Sequence, residues 1–215
     1  MNLDRILGQH DLKDKIYASI KKNTYPQSKI IIDKDGYGGL NLAIEIARGL
    51  LESSSFSGDV LDHPDLYFSF PSFASLKDNE NIYNEWLGFV RQHPFSDFQK
   101  WSSFVGNTTS QGSIKVSEVD KVQKKAVLKP FLGGNKVFIF WGVESMMAQT
   151  SNKLLKILEE PPINTFFILI TNSIQDVLPT IISRCQISTM KPISHDDHKA
   201  FLENSFDGIE HGSVS

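Results

Sequence analysis

Short apolar runs alternate with helical segments along this chain, and the alternation strongly constrains its fold. Five short runs are predicted to be strands, and the first four of them are dominated by β-branched and aromatic side chains, as buried strands are. They are residues 29–32, 66–70, 136–141, 166–170 and 185–190. Strands that alternate with helices favour a parallel sheet covered by helices on both faces. The sequence therefore predicts an α/β fold in three layers, with a five-stranded parallel sheet.

Helices are predicted between these runs. Leu12, Ile16 and Ile20 recur every four residues and so lie on one face of a helix over residues 12–22. The other predicted helices are residues 40–51, 81–91, 95–105, 116–127, 153–160 and 177–182. Residues 150–152 (Thr-Ser-Asn) are expected to form the N-cap region of the helix that begins at 153.

Two parts of the chain depart from this regular pattern. Residues 71–112 form an irregular insert that contains Trp86 and Trp101. Its aromatic content predicts that it packs on the rest of the protein, unlike a free linker. Residues 193–215 open like a helix and then run into glycines, as expected for the beginning of a truncated domain. The predicted organisation is an α/β domain over residues 1–192, followed by the start of a second unit.

Composition excludes several classes of protein. The net charge of −3 argues against general nucleic-acid binding, so any DNA contact must come from a local basic face such as Lys121, Lys124 and Lys125. The single cysteine, Cys185, excludes an intrachain disulfide and a zinc site built from several cysteines. No apolar stretch is long enough to span a membrane, and the first residues lack the apolar run of a signal peptide. A cytoplasmic location is expected.

The first predicted strand is followed by a glycine-rich turn and a helix, as in a phosphate-binding loop. Working loops read G-x-x-x-x-G-K-[ST], with a lysine for the phosphates and a hydroxyl for Mg²⁺. Here Gly38 holds the second glycine position, with Gly36 before it in the same turn, but Gly39 and Leu40 replace the lysine and the hydroxyl residue, and Asp33 replaces the first glycine. The sequence predicts a loop that does not bind ATP; a plain strand-to-helix turn is the other interpretation.

The end of the third predicted strand lacks the acidic pair with which an ATPase binds Mg²⁺ and polarises water. Trp141 and Gly142 occupy those positions, and Glu144 is expected to be a surface charge. No cofactor and no metal ion are predicted for this chain.

From about Ile6 to Met190 the chain resembles bacterial clamp-loader subunits, which belong to the AAA+ family. The resemblance is weakest over residues 53–111 and most specific in the second half of the chain. It is carried by I-L-G-Q at 6–9, K-P-F and G-G before K-V-F-I at 129–139, L-L-K-I-L-E-E-P-P at 154–162, T-F-F-I-L-I-T-N at 165–172 and L-P-T-I-I-S-R-C at 178–185.

Within this family the chain is similar to the delta-prime group, in which the nucleotide site is degenerate while the Ser-Arg-Cys segment is kept. The resemblance implies a non-ATPase subunit of the DNA polymerase III clamp loader, with gamma/tau ATPase subunits and a delta subunit as partners. It implies that the assembly loads a sliding clamp onto primed DNA, and that residues 193–215 begin a small helical lid. The four-cysteine zinc module of many delta-prime relatives is missing, since residues 53–60 hold no cysteine.

The resemblance also implies roles for individual residues. Arg184 would act in trans, as an arginine finger on a neighbouring subunit's ATP, with Ser183 and Cys185 beside it at the interface. On chemistry alone, a surface arginine or a helix C-cap is the plainer interpretation of Arg184. Thr171 falls at the sensor 1 position, although a simple strand cap fits it as well.

Two other functions remain open. An active gamma/tau-type ATPase is disfavoured by Gly39, Leu40, Trp141 and Gly142. An interaction module outside replication that kept only the AAA+ shape would differ in its binding partners.

Overall fold

In a computed structural model, the chain is described at residues 1–3, 6–34, 36–52, 55–73, 80–93, 95, 97–106, 111–197 and 199. The predicted lid over residues 193–215 lies outside the described residues at 198 and from 200 onward. The predicted insert is described in part, from 71 to 73, from 80 to 93, at 95, from 97 to 106 and at 111 and 112.

Five parallel strands form one sheet, as the apolar runs predict. They are β1 (Ser28–Ile32), β2 (Leu66–Ser69), β3 (Lys136–Trp141), β4 (Thr165–Thr171) and β5 (Gln186–Thr189). Their order in the sheet is β2-β3-β4-β1-β5, and every described pair is parallel. The connection from β1 leads to β2, at one end of this order, and the connection from β4 leads to β5, at the other end.

Helices cover both faces of the sheet. They are α1 (His10–Lys21), α2 (Gly39–Leu51), α3 (Glu80–Gln92), α4 (Phe98–Phe104), α5 (Val116–Ala126), α6 (Ala148–Glu159) and α7 (Pro179–Ile182). Neighbouring residues of a strand point to opposite faces. Accordingly Ile31 belongs to a core with α1 to α4, and Ile30 to a second core with α5 to α7. The three-layer prediction is confirmed.

Helix α6 begins earlier than its sequence predicts. It starts at Ala148, with Met147 as its N-cap residue and no side-chain cap. Thr150 and Ser151, predicted to cap the helix, lie inside it and are buried. A polar residue caps a helix only at its N-terminus, where backbone N–H groups have no partner within the helix. Here the helix begins before Thr150, so Thr150 and Ser151 lie within its first turn and are buried.

The aromatic insert is part of the core. Trp86 of α3 and Trp101 of α4 are fully buried, with ring centroids 5.2 Å apart. Trp86 also contacts Trp141 at the end of β3, at 5.1 Å, and stacks on Phe70 at 4.3 Å. The Trp101 indole donates a hydrogen bond to the carbonyl of Pro71 (2.8 Å). The insert therefore packs directly on the carboxyl end of β3.

A buried lysine connects β3 to the end of α5. Lys136 is 2% exposed, and its ammonium group donates hydrogen bonds to the carbonyls of Lys125 (2.8 Å), Ala126 (2.5 Å) and Leu128. The last carbonyls of a helix have no partner within the helix. Lys136 supplies that partner and fixes α5 against the amino end of β3.

Candidate functional site

The carboxyl ends of β1, β3 and β4 border a cavity of about 330 Å³. Its walls include Asp33, Gly36, Trp141, Gly142 and Thr171. In open parallel sheets, ligands bind at this edge, where successive connections leave in opposite directions. The fold thus brings together the predicted phosphate loop, the end of the third strand and the sensor 1 position.

The Asp33 carboxylate lies inside the phosphate loop. Its two oxygens accept hydrogen bonds from the backbone N–H groups of Tyr37 (2.6 Å) and Gly39 (2.7 Å). Gly39 is the first residue of α2, so its N–H is one of those that a helix N-terminus offers to an anion. Asp33 is only 9% exposed. A carboxylate from the chain itself therefore occupies an anion position of this loop.

Asp33 and Gly39 depend on each other sterically. A Cβ atom at position 39 would lie 2.8 Å from Cβ and from Oδ2 of Asp33. A lysine therefore cannot stand at position 39 while Asp33 keeps its place. Leu40, at the position of the hydroxyl residue, is 2% exposed and belongs to the core on the α1-to-α4 face.

Replacing Gly39 with alanine is expected to destabilise the protein by about 1–3 kcal/mol, because the added methyl overlaps Asp33. Without that contact, glycine to alanine in a helix is stabilising by about 0.5–1 kcal/mol. Gly88 in α3 is the matched control, since nothing lies within 4 Å of a Cβ placed there. Urea unfolding measures both variants. Equal stabilisation by Gly39→Ala and Gly88→Ala would contradict the contact.

A side chain at position 142, directly after β3, would be strained and tightly packed. Gly142 adopts φ 74° and ψ 46°, a left-handed conformation that glycine tolerates best. A Cβ atom there would lie 3.0 Å from Cγ of Pro71. Trp141 is 7% exposed and packs on Trp86 of the insert. Trp141 and Gly142, predicted to stand where an ATPase carries its carboxylates, therefore make packing contacts here.

Acidic groups outnumber basic ones around the cavity. Asp33, Asp97 and Glu144 line it together with Lys34. Glu144, expected at the surface, is half-buried, and burial raises the pKa of its carboxyl group above the usual range. Its Oε2 atom is buried and has no hydrogen-bond partner among the described residues.

The hydroxyl of Thr171, the residue predicted to stand at the sensor 1 position, forms local hydrogen bonds. Thr171 is 1% exposed, and its Oγ1 donates to the carbonyl of Ser173 (3.0 Å) and accepts from the Ser173 N–H (3.1 Å). These bonds close the turn that follows β4. The insert also reaches the loop, since a Cβ atom at Gly38 would lie 3.3 Å from the ring of Phe95.

Arg184 lies at the opposite end of the strands from the cavity. It follows α7 and precedes β5, and β5 pairs in parallel with β1 from Gln186 and Lys29 onward. Because all strands are parallel, Arg184 lies near their amino ends, whereas the cavity lies at their carboxyl ends. The guanidinium contacts Glu159 Oε1 (2.6 Å), the Thr180 carbonyl (2.8 Å) and Ser183 Oγ (3.3 Å). The structure thus separates Arg184 from the cavity of its own chain.

The two flanking residues have local contacts. The Ser183 hydroxyl donates to the carbonyl of Thr180 (3.1 Å). Cys185 packs against the core on the α5-to-α7 face, and burial raises the pKa of its thiol to about 12. The contact between Glu159 and Arg184 was not predicted from the sequence, although each residue belongs to a segment that carries the family resemblance.

The Cys185 thiol is expected to react slowly with iodoacetamide. Alkylation requires the thiolate, and a raised pKa lowers its fraction at any pH below that value. At pH 8 the rate should be about 100-fold or more below that of free cysteine. Mass spectrometry follows the labelling, and unfolding in urea should restore the ordinary rate. Labelling of the folded chain as fast as free cysteine would contradict the burial.

Two features are absent from the described part of the chain. None of its helices has the length and apolar character that a membrane span requires. The histidine, cysteine, aspartate and glutamate side chains described there form no group that could hold a metal ion.

The chain is similar in sequence to bacterial replication proteins. A family model described as DNA polymerase III, delta subunit, matches residues 69–194, more than half of the chain. DNA polymerase III subunit delta' of Haemophilus influenzae is 34% identical over 98 residues, which are 46% of this chain and 28% of that protein. The Bacillus subtilis subunit delta' is 37% identical over 81 residues, 38% of this chain and 25% of that protein. The chain spans about a quarter of the length of these curated relatives.

Solved structures with a similar fold include a DNA polymerase III gamma subunit-related protein of Thermotoga maritima. Its TM-score is 0.56 at 16% identity, over 86% of this chain and 48% of that chain. The RuvB Holliday junction branch migration motor of the same organism has a TM-score of 0.58 at 12% identity, over 97% of this chain and 54% of that chain. These similarities show the AAA+ fold. With the match over residues 69–194, they show that the chain belongs to the DNA polymerase III delta-subunit family, as a delta-prime-like member with an AAA+ fold.

Proposed function

We propose that this chain is a clamp-loader subunit of DNA polymerase III that does not hydrolyse ATP. It holds a neighbouring gamma/tau-type ATPase subunit in place, contacts a delta-type subunit within the same assembly, and presents Arg184 to the neighbour's ATP. The assembly loads a sliding clamp onto primed DNA. The observation that carries the proposal is the Asp33 carboxylate, which accepts hydrogen bonds from the loop N–H groups of Tyr37 and Gly39.

A nucleotide phosphate would have to displace Asp33 from the loop. Each hydrogen bond to an ionised acceptor contributes about 1.5–3 kcal/mol. Losing two such bonds would weaken phosphate binding by on the order of 10²–10⁴-fold, and no lysine at position 39 offsets the loss. The side chain of Asp97, which also lines the cavity, adds repulsion.

The place of Arg184 in the fold supports action in trans. It lies at the amino ends of the strands, away from the cavity of its own chain. A phosphate that it contacts therefore belongs to another molecule. A guanidinium supplied by a neighbour stabilises the charge that develops on the γ-phosphate during transfer.

Membership in the loader is tested by co-expression. The tagged product of the complete gene is purified together with the gamma/tau-type and delta-type subunits of the same organism. We expect the subunits to elute as one complex in size-exclusion chromatography. If the tagged protein elutes alone while the other subunits associate, the proposal is wrong, and an interaction module outside replication is favoured.

A further inference from the structure

One ion pair joins two segments of the sequence near the amino ends of the strands. Glu159 is the last residue of α6, in the Glu-Glu-Pro-Pro segment, and Arg184 lies in the Ser-Arg-Cys segment. Their side chains approach to 2.6 Å between Nη2 of the arginine and Oε1 of the glutamate. These side chains are 33% and 46% exposed. The contact therefore lies at the surface, where another subunit can reach it.

The local helices account for the geometry of this pair. Glu159 stands at a helix C-terminus, where the partial negative charge of the helix disfavours a carboxylate and favours a cation nearby. Arg184 follows the short helix α7 and donates from Nη1 to the carbonyl of Thr180 (2.8 Å). The guanidinium thus compensates charge at the ends of two helices and is held between them.

The contacts leave part of the guanidinium available. An arginine has five N–H donors. Nη1 contacts the Thr180 carbonyl and the Ser183 hydroxyl, and Nη2 contacts Glu159, so the described contacts use three of the donors. Two donors remain for an external acceptor while Glu159 stays in place. A phosphate oxygen is an acceptor that matches this planar group.

We propose that Glu159 is a positioning residue that holds Arg184 in the orientation required to contact a neighbouring subunit's phosphate. The inference rests on the proposed function. An ion pair between partly exposed side chains is weak, so it restricts the rotamers of Arg184 without preventing contact with a phosphate. Restricting these rotamers before the subunits meet reduces the entropy that is lost when the phosphate is bound.

The test is a double-mutant cycle in the reconstituted clamp loader. The Arg184-dependent rate is the rate of ATP hydrolysis with the wild-type chain minus the rate with Arg184→Ala. We expect Glu159→Ala to lower this difference about two- to five-fold, the contribution of an ion pair of this kind. The KM for ATP should stay unchanged, and Glu159→Gln, which keeps a hydrogen-bond acceptor, should lose less. Glu160→Ala, which removes the same charge at the same helix end, should have no effect.

The outcomes separate the two proposals. In the Arg184→Ala background, Glu159→Ala should cause no further loss, because its effect passes through the arginine. An equal loss in both backgrounds would mean a merely structural role and would overturn the inference. An unchanged rate with Glu159→Ala, while Arg184→Ala slows hydrolysis, would overturn the inference alone. An unchanged rate with Arg184→Ala would overturn the proposed function, and the inference with it. Thermal unfolding of each variant excludes misfolding, and Glu159→Gln keeps the test valid if Glu159→Ala is unstable.

Discussion

Replacing Arg184 with alanine is expected to slow ATP hydrolysis at the adjoining site of the clamp loader by on the order of 10³-fold or more, the usual effect of an arginine finger. The Arg184 side chain is 33% exposed and lies at the edge of its own domain, so its removal leaves the core intact. Rapid-quench measurements of a single turnover resolve the effect. We expect the fast phase to lose the amplitude of one ATP site while the remaining sites hydrolyse at their normal rate.

Two further variants serve as controls for this result. Arg184→Lys keeps the charge but not the planar fork of donors, so it should restore little activity. Arg91 is an arginine of similar exposure that pairs with Asp59 and Asp62, and Arg91→Ala should leave hydrolysis unchanged. A full fast phase with Arg184→Ala would contradict the assignment of the finger to this residue.

Replacing Lys136 with methionine is expected to lower the free energy of unfolding by about 2–4 kcal/mol. Methionine preserves most of the side-chain volume but donates no hydrogen bond, so the carbonyls of Lys125, Ala126 and Leu128 lose their shared partner. A buried acceptor left without a partner costs about 1–3 kcal/mol. Urea unfolding followed by circular dichroism measures the change.

Lys121 on α5 is the matched control for this prediction. It is exposed and forms an ion pair with Glu118 one turn away. Such pairs contribute little, so Lys121→Met should change stability by about 0.5 kcal/mol or less. If both lysine variants have the same small effect, Lys136 does not hold the end of α5.

Strands β1 to β4 were predictable because each is a mostly apolar run, and strands that are buried on both faces require such runs. Strand β5 differs, since it lies at the edge of the sheet and is largely polar and exposed. Helix starts were less predictable, since they depend on burial as well as on local caps. Thr150 and Ser151 illustrate this, because they are good capping residues that the tertiary structure places inside α6. The packing of Trp86 on Trp141 also required the fold, since α3 and β3 are distant in sequence.

The candidate site was predictable only in its residue types. The motif spacing placed Asp33, Gly39 and Leu40 at positions where a phosphate site needs other side chains. It could not show that Asp33 accepts bonds from the loop N–H groups, because that depends on the backbone of the turn. The burial of Glu144 and the pairing of Arg184 with Glu159 also arise from contacts between separate elements.

The central claim is that this chain binds no ATP, and a titration with a fluorescent ATP analogue in the presence of Mg²⁺ tests it most directly. A gamma/tau-type subunit of the same organism serves as the positive control. We predict no saturable binding to the purified chain at high micromolar protein, because Asp33 occupies the loop and position 39 has no lysine. Tight, Mg²⁺-dependent binding would contradict this account and would favour an active gamma/tau-type ATPase.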